Sequence, residues 1–387
     1  MLPDTRADPP ICALAEGVLH AGPMSSPGPD MPLDLLGLPL DRLTRFLQEE
    51  LGERPFHARQ LYRWIHQRGV TDFEQMTDLS KSLRTRLRER CALEPLAKDL
   101  EQRSSDGTIK YRWRTRDGRL IESVYMPSTD RKTLCVSTQV GCAMACKFCM
   151  TGTLGLLRNL TAAEIVAQVH VVNREVARNE SLALTRPLTN LVFMGMGEPF
   201  LNYDEFIRSV EILVKHVGIP ESRMTVSTSG IEPAIRKFAH EPLRPKLALS
   251  LNASNDVVRE QVMPITRKWK IGQLLDAVKT LPLGKREWVT FEYVLLGGVN
   301  DQPEHAREVV ELLSGMRAKV NLIVWNPGPG INYTQPKPED VAVFQKMLIE
   351  GGMPAYIRRP RGRDIYAACG QLKRTVSEEP GQLVTIG

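Results

Sequence analysis

Two hydrophobic periodicities divide the chain. From Leu35 to about Leu96 apolar residues return every three or four positions, and Leu40, Leu43, Leu47 and Leu51 form one stripe, as on an amphipathic helix. A second helix is predicted from His57 to Gln67, burying Leu61, Trp64 and Ile65, and a third from Ser80 to Cys91, with Leu83 and Leu87 inward. Asp41 and Ser80 are candidate N-caps, since their side-chain oxygens can accept from free first-turn N–H groups. Over residues 99–127 the pattern shortens. Runs at Thr108–Trp113 and Leu120–Met126, with turns at Asp106-Gly107 and Asp117-Gly118, predict a β-hairpin or meander.

From Lys132 the two periods alternate. Strands are predicted at Thr133–Thr138, Asn190–Met194, Met224–Ser227, Lys246–Leu251, Val289–Leu295 and Val320–Trp325. Helices are predicted at Ala162–Arg178, Tyr203–Val217, Glu232–Phe238, Ile271–Leu281, Pro303–Ser314 and Pro338–Glu350. Thr161 followed by Glu164 is a capping-box pattern. Such alternation implies an α/β fold with a parallel sheet and right-handed crossovers, here a partial (β/α)6, TIM-like barrel. The expected order is a disordered tail (1–34), a helical module (35–98), a β-extension (99–127), the barrel (128–372) and a C-terminal tail (373–387).

Composition changes this picture little. Six prolines fall in the first thirty residues, which suits a disordered segment. There is no apolar run of about 18 residues to span a membrane and no secretory pattern at the start. A net charge of +6 leans toward a polyanionic partner. Arg42, Arg45, Arg54, Arg59, Arg63, Arg68, Lys81, Arg84, Arg86, Arg88 and Arg90 lie on the polar faces of the helical module. They read either as a solvated surface or as contacts for RNA phosphates. The seven cysteines are odd in number and partly clustered, which argues against a secreted disulfide scaffold and for a reducing cytoplasm. Cys12, in the tail, and Cys91 have no assigned role.

The candidate chemistry begins at Cys142, Cys146 and Cys149, which directly follow the first barrel strand. Barrel chemistry sits at the carboxyl ends of strands. Three thiolates can hold a 4Fe–4S cluster with one iron open to a further ligand; a zinc site would ordinarily add a fourth ligand nearby. Phe148 stands just before the third cysteine. The next strand ends in Gly195-Met196-Gly197-Glu198-Pro199, where glycines allow close backbone approach. Later strand ends carry Ser227-Thr228-Ser229-Gly230, Ser250-Leu251-Asn252 and Trp325-Asn326-Pro327. Cys135 and Cys369 lie outside the cluster motif, as structural thiols or as nucleophiles.

Taken together, these motifs resemble the RlmN/Cfr family of radical S-adenosylmethionine (radical SAM) RNA methyltransferases, over about residues 35 to 372. The resemblance implies a radical SAM barrel in which Cys142, Cys146 and Cys149 hold the 4Fe–4S cluster. Gly197, Glu198, Ser227, Ser250, Leu251, Asn252 and Asn326 would contact SAM, although Asn252 stands where some relatives have His. Cys369 would carry the methyl group, Cys135 would resolve the adduct through a transient disulfide with Cys369, and Glu122 would accept a proton. Two SAM molecules would be consumed per methylation. The implied substrates are adenosines of 23S rRNA and of tRNA, 3′ of the anticodon, methylated at carbon 2. The implied partners include an electron donor such as flavodoxin or ferredoxin; a cytoplasmic monomer is the expected state. Two alternatives remain open at this point: carbon-8 methylation of the Cfr type, and a non-catalytic zinc-stabilised RNA-binding protein.

Overall fold

The computed structural model describes residues 32–179 and 187–372, together with the backbone of 375–376 and 384–385. Residues 1–31, including Cys12, and most of the expected C-terminal tail therefore lie outside the described residues.

The helical module contains α1 (Leu40–Leu51), α2 (Phe56–Tyr62) and α3 (Lys81–Arg90). Helix α1 buries the predicted Leu43, Leu47 and Leu51 and stops at Gly52, whose φ of 63° provides a left-handed C-cap. Its N-cap is Pro39 and not the expected Asp41, which sits in the first turn without a capping bond. There the carboxylate meets the positive end of the helix dipole instead. Ser80 does cap α3, its Oγ accepting from Leu83 N at 3.1 Å. The predicted second helix is α2 followed by a π turn over Arg63–Gln67.

Ten strands form one sheet: β1 (Leu96–Arg103), β2 (Ile109–Thr115), β3 (Leu120–Pro127), β4 (Lys132–Cys135), β5 (Asn190–Phe193), β6 (Met224–Thr228), β7 (Lys246–Ser250), β8 (Val289–Leu295), β9 (Ala318–Val324) and β10 (Ala355–Ile357). They lie side by side in chain order. Strands β1 to β4 pair antiparallel, as short turns allow. From β4 to β10 every pair is parallel, so each step needs a crossover. The crossovers carry α4 (Ala162–Asn179), α5 (Tyr203–Ile212), α6 (Glu232–Phe238), α7 (Asp256–Val262), α8 (Ile271–Lys279), α9 (Pro303–Leu313) and α10 (Pro338–Glu350). The capping box opens α4 as expected: Glu164 N donates to Thr161 Oγ1 at 3.2 Å and Thr161 N to Glu164 Oε2 at 2.9 Å.

Three features differ from the pattern reading. The first barrel strand ends at Cys135, and residues 139–142 form a separate hairpin with Gly155–Asn159. Helix α7 and the edge strand β10 were not legible. The β-extension continues the barrel sheet through β3 and β4 and gains β1, whose Leu-Ala-Lys-Asp-Leu-Glu-Gln-Arg run is too polar to read as a strand.

Directly paired residues share a face, and every second residue returns to it. Leu134, Leu191, Phe193, Val226, Leu249, Phe291, Tyr293 and Leu322 share one buried face. Helices cover it: Phe193 meets Phe206 of α5 at 4.9 Å and Tyr293 meets Phe344 of α10 at 5.2 Å between ring centroids. The other face carries Lys110, Arg112, Glu122, Cys135, Ser227, Ser250, Glu292 and Asn321. That polar interior faces the barrel mouth.

The helical module packs on the barrel. A Cβ added to Gly37 would lie 2.3 Å from Ala163 N, and His66 Nδ1 meets His170 Nε2 of α4 at 3.0 Å.

Candidate active site

Cys142 ends one strand of the small hairpin, while Cys146 and Cys149 lie in its loop. Ala145 turns the loop through a left-handed φ of 51°. Cys149 N then donates to Cys146 O at 3.1 Å, and a Cβ on Gly152 would sit 2.9 Å from that same oxygen. Lys147 N bonds Val262 O of α7 at 3.0 Å, and Trp325 Nε1 at the end of β9 bonds Phe148 O at 3.0 Å. The loop is thus held on two sides by the barrel.

Burial pushes all three thiols up, Cys146 to about 12. The next cause is mutual: the Cys146 charge acts on Cys142, and the Cys149 charge on Cys146. A cationic metal centre reverses that penalty. Among the described residues no three His, Cys, Asp or Glu side chains converge closely enough for a single ion. Three thiols on one loop, with an open position for a further ligand, fit a 4Fe–4S cluster by the chemistry of the donor set.

The run after β5 is pressed against the segment leading into this loop. Thr138 N donates to Met196 O at 2.9 Å and Met196 N to Ser137 Oγ at 2.8 Å. A Cβ on Gly195 would meet Ser137 Oγ at 2.6 Å, and one on Gly197, at φ 104°, would meet Gln139 Cβ at 2.5 Å. Only glycine tolerates both the space and the φ. The buried Glu198 carboxylate accepts from Ser229 N and Oγ, each at 2.7 Å, and from Phe200 N at 3.1 Å. Burial raises its pKa, and the Ser229 bonds pull it down. Its charge reaches Cys142 and Cys146. A ligand ammonium here would supply the opposite charge that Ser229 and Phe200 do not.

Ser227 and Ser250 bring their Oγ atoms within 3.3 Å on adjacent strands. Leu251 and Asn252 donate their backbone N–H groups to Glu292 O at 2.9 and 3.2 Å. Asn252 holds a left-handed φ of 55°, and its Oδ1 accepts from Val294 N at 2.8 Å. Its side chain thus braces β8. Asn326 Nδ2 donates to Cys369 O at 3.3 Å, which joins the β9 end to the late cysteine.

The Cys369 loop has two anchors. Met150 N bonds Gly370 O at 2.8 Å, and Thr151 Oγ1 bonds Leu372 O at 2.6 Å, beside the cluster loop. At its other end Asp364 accepts from Ser104 Oγ at 2.6 Å and Ser105 N at 3.1 Å, and Gly362 N donates to Asp106 Oδ2 at 3.0 Å. Cys369 opens to solvent, yet enclosure by the mouth and then the Glu292 charge push its thiol up, while Arg358 opposes them. Cys135, on the interior face, is pushed up by burial and next by the Cys369 charge. Both thiols are free. Glu122, 1% exposed, lies 3.5 Å from the Lys110 ammonium. The predicted residues therefore gather around one mouth. Cys91 stands apart, buried under the helical module with its thiol pushed up to about 12 by burial.

Three residues escaped the sequence reading. Arg259 of α7 is fully buried and donates to Leu251 O (3.0 Å), Thr266 Oγ1 (2.9 Å), Ser229 O (2.6 Å) and Ser250 O (3.0 Å). Burial lowers it to about 10, and the Cys146 charge works against that. Nothing in Asp-Val-Val-Arg-Glu-Gln-Val signals this. Glu292 interrupts a largely apolar strand, Val-Thr-Phe-Glu-Tyr-Val-Leu, a signal that could have found it, whereas Lys110 alternates with two arginines on β2 and looks solvated.

Comparison with known proteins agrees with the geometry. Residues 33–93 match the family model described as the ribosomal RNA large subunit methyltransferase N-terminal domain, and residues 136–313 match the radical SAM superfamily. The chain is 55% identical over 361 residues to dual-specificity RNA methyltransferase RlmN 2 of Myxococcus xanthus, covering 93% of this chain and 95% of that protein. It is 51% identical to dual-specificity RNA methyltransferase RlmN of an Anaeromyxobacter species, covering 91% and 93%. The crystal structure of a radical SAM methyltransferase from Sphaerobacter thermophilus superposes with a TM-score of 0.83 at 45% identity, covering 88% of this chain and 99% of that one. With relatives this similar along nearly the whole length, the chain belongs to the RlmN family of radical SAM RNA methyltransferases.

Proposed function

We propose that this protein methylates carbon 2 of adenosine, in 23S rRNA and in tRNA 3′ of the anticodon, through a methylated Cys369 and a covalent RNA–enzyme adduct. The supporting observation is that Cys135, Cys369 and Glu122 share one barrel mouth, with Cys135 and Cys369 both free and coupled by charge. Cys142, Cys146 and Cys149 would hold the cluster, and Glu198, Gly197, Ser227, Ser250, Leu251, Asn252 and Asn326 would line the SAM site. When bound, the cluster and two successive SAM molecules supply one methyl group and one carbon radical, the kind of step a protein leaves to its cofactors.

The chain's own residues do the rest. Carbon 2 is electron-poor and no nucleophile, so the one-carbon unit must be carried to it, and Cys369 carries it. The Cys369 thiol loses its proton before taking the methyl group. Glu122 accepts the proton from carbon 2, and its match to the proton-acceptor position supports carbon 2 over carbon 8; the odd electron left in the ring by radical addition would return to the oxidised cluster, which restores aromaticity. Cys135, as a thiolate, then attacks the Cys369 sulfur of the rearomatised adduct. The sulfur–sulfur bond forms as the sulfur–carbon bond breaks; the electron pair goes to the carbon, which takes up a proton and becomes the methyl group. The base must leave its stack to reach the mouth, which loops permit more cheaply than helices. The helical module supplies phosphate contacts. Among the described residues no helix is long and apolar enough to cross a membrane; a cytoplasmic monomer served by a flavodoxin- or ferredoxin-like donor completes the proposal.

The test is Cys135→Ala with SAM, reductant and substrate RNA. A covalent RNA–protein band on a denaturing gel is expected. Continued methylation without that band would make Cys135 structural and remove the adduct from the mechanism.

A further inference from the structure

Lys110 is 4% exposed and Glu122 1% exposed, both on the interior face of the antiparallel strands. Lys110 Nζ lies 3.5 Å from Glu122 Oε1 and 3.4 Å from the Tyr366 carbonyl. Tyr366 stands three residues before Cys369 and holds a left-handed φ of 51°. A single ammonium thus touches both a carboxylate two residues along β3 from Val124, the direct partner of Cys135, and the backbone that carries the nucleophile. Other charges stand close: Arg112, two residues along the same strand, lies directly opposite Glu122 in the register and is itself bonded by Asp99 of β1, so Lys110 is one of two cations beside this carboxylate.

Two physical requirements meet here. A carboxylate buried without a cation takes up a proton and is useless as a base. A base also has to stand within hydrogen-bond reach of the proton that it removes. The ammonium meets the first requirement by its charge and the second by its bond to the loop.

We propose that Lys110 is a positioning residue that keeps Glu122 ionised and holds it in register with the Cys369 loop. The inference rests on the reading of Glu122 as the acceptor of the carbon-2 proton. In that step the carbon–hydrogen bond breaks with its electron pair left in the ring, the proton passes to a Glu122 oxygen, and the odd electron left by radical addition would be taken up by the oxidised cluster held by Cys142, Cys146 and Cys149. Burial lowers the pKa of Lys110 while the Glu122 charge raises it, so the pair is strongest with both groups charged.

The experiment is a single-turnover decay of the RNA–protein adduct, followed on denaturing gels from pH 6 to pH 9, in the full-length protein loaded with its cluster. Only molecules that have formed adduct are counted, so partial loss of folding in a variant does not obscure the rate. Lys110→Met should slow decay by several-fold or more at pH 7, because loss of one of the two cations beside Glu122 lifts its carboxyl. The rate should recover as pH rises and the carboxyl ionises. Lys110→Arg, which keeps the charge, should restore most of the rate at pH 7. A Lys110→Met profile superimposable on the wild type would overturn the inference, as would Met and Arg variants equally slow at every pH, which marks simple packing damage. Glu122→Gln, run in parallel, separates the two readings: undiminished decay there would sink Glu122 as the base, whatever Lys110 does.

Discussion

The sheet joins two halves that handle charge in different ways. In the parallel half, β4 to β10, the interior face presents hydroxyls, amides, one thiol and the buried carboxylate of Glu292, which Asn321 bonds, with the less buried Lys246 and Lys319 in the same alternation. Its central cation, Arg259, comes from a crossover helix and is spent on strand-end carbonyls. In the antiparallel half, β1 to β3, the interior face carries buried side-chain charge directly, with Lys110, Arg112 and Glu122 in adjacent registers. The difference follows from construction. Crossover helices leave strand ends with loops and free backbone groups, which suit a cofactor. A meander offers long paired strands that fix side chains rigidly, which suits an acid–base group. The Cys369 loop lies between the halves and is bonded to both. On the proposed mechanism, radical generation and proton removal would fall to different walls of one mouth.

The sharpest way to break this division is to disable one wall completely. Cys146→Ala should abolish iron retention and reduce both 5′-deoxyadenosine formation and methylation to background, as expected when a ligand of a three-thiolate cluster is lost. Iron and sulfide analysis together with product chromatography would show it. No adduct should form, whereas on the proposed mechanism damage to the antiparallel wall should stall the reaction after the adduct exists. A Cys146→Ala protein that still splits SAM would end the assignment of the cluster to this loop.

A smaller effect tests what holds the parallel wall together. Arg259→Met removes four hydrogen bonds from a site with no water access and leaves Ser229, Ser250 and Leu251 carbonyls short of a donor. Stability should fall by about 3–5 kcal/mol, read as a shift in the denaturant midpoint. A loss below about 1 kcal/mol, typical of surface changes, would mean that the guanidinium does not organise these strand ends.

The same contrast explains what the sequence made legible. The parallel half follows strict local rules. Apolar strands alternate with amphipathic helices, and glycines such as Gly197 stand where only a hydrogen fits. The cluster motif, Glu198 and the polar strand ends could therefore be located at strand ends from the pattern, while their roles came from the family resemblance. Arg259 could not, because a helix of charged and β-branched residues gives no sign of which face is buried. The meander was read as a connector, since its polar strands look solvated until the register shows which face turns inward. Lys110 and Tyr366 are 256 residues apart, and only the closed sheet brings them together. Asn252 shows the reverse case: its residue type fits the left-handed turn that it occupies, and its side chain serves the fold.

The mildest perturbation is pH, and it separates the two anchors of the Cys369 loop. The anchor beside the cluster uses backbone groups and the Thr151 hydroxyl, none of which titrates near acid pH. The anchor from the β1–β2 turn uses Asp106 and Asp364. Burial alone would raise the Asp106 carboxyl, but bonds from Thr108, Gly362 and Ser104 together bring it down to about 2. A carboxyl whose folded value is depressed stabilises the fold above its unfolded value, near 4, and that contribution disappears as pH falls through about 2. Acid should therefore loosen residues 362–366 while residues 370–372 stay attached. Pepsin, which works in this range, should cut the first segment a few times faster at pH 2 than at pH 4. Asp106→Asn, weakened at every pH, should already be cut faster at pH 4. Equal cutting of wild type and variant at pH 4 would mean that the turn does not clamp the loop, leaving the cluster side as its holder.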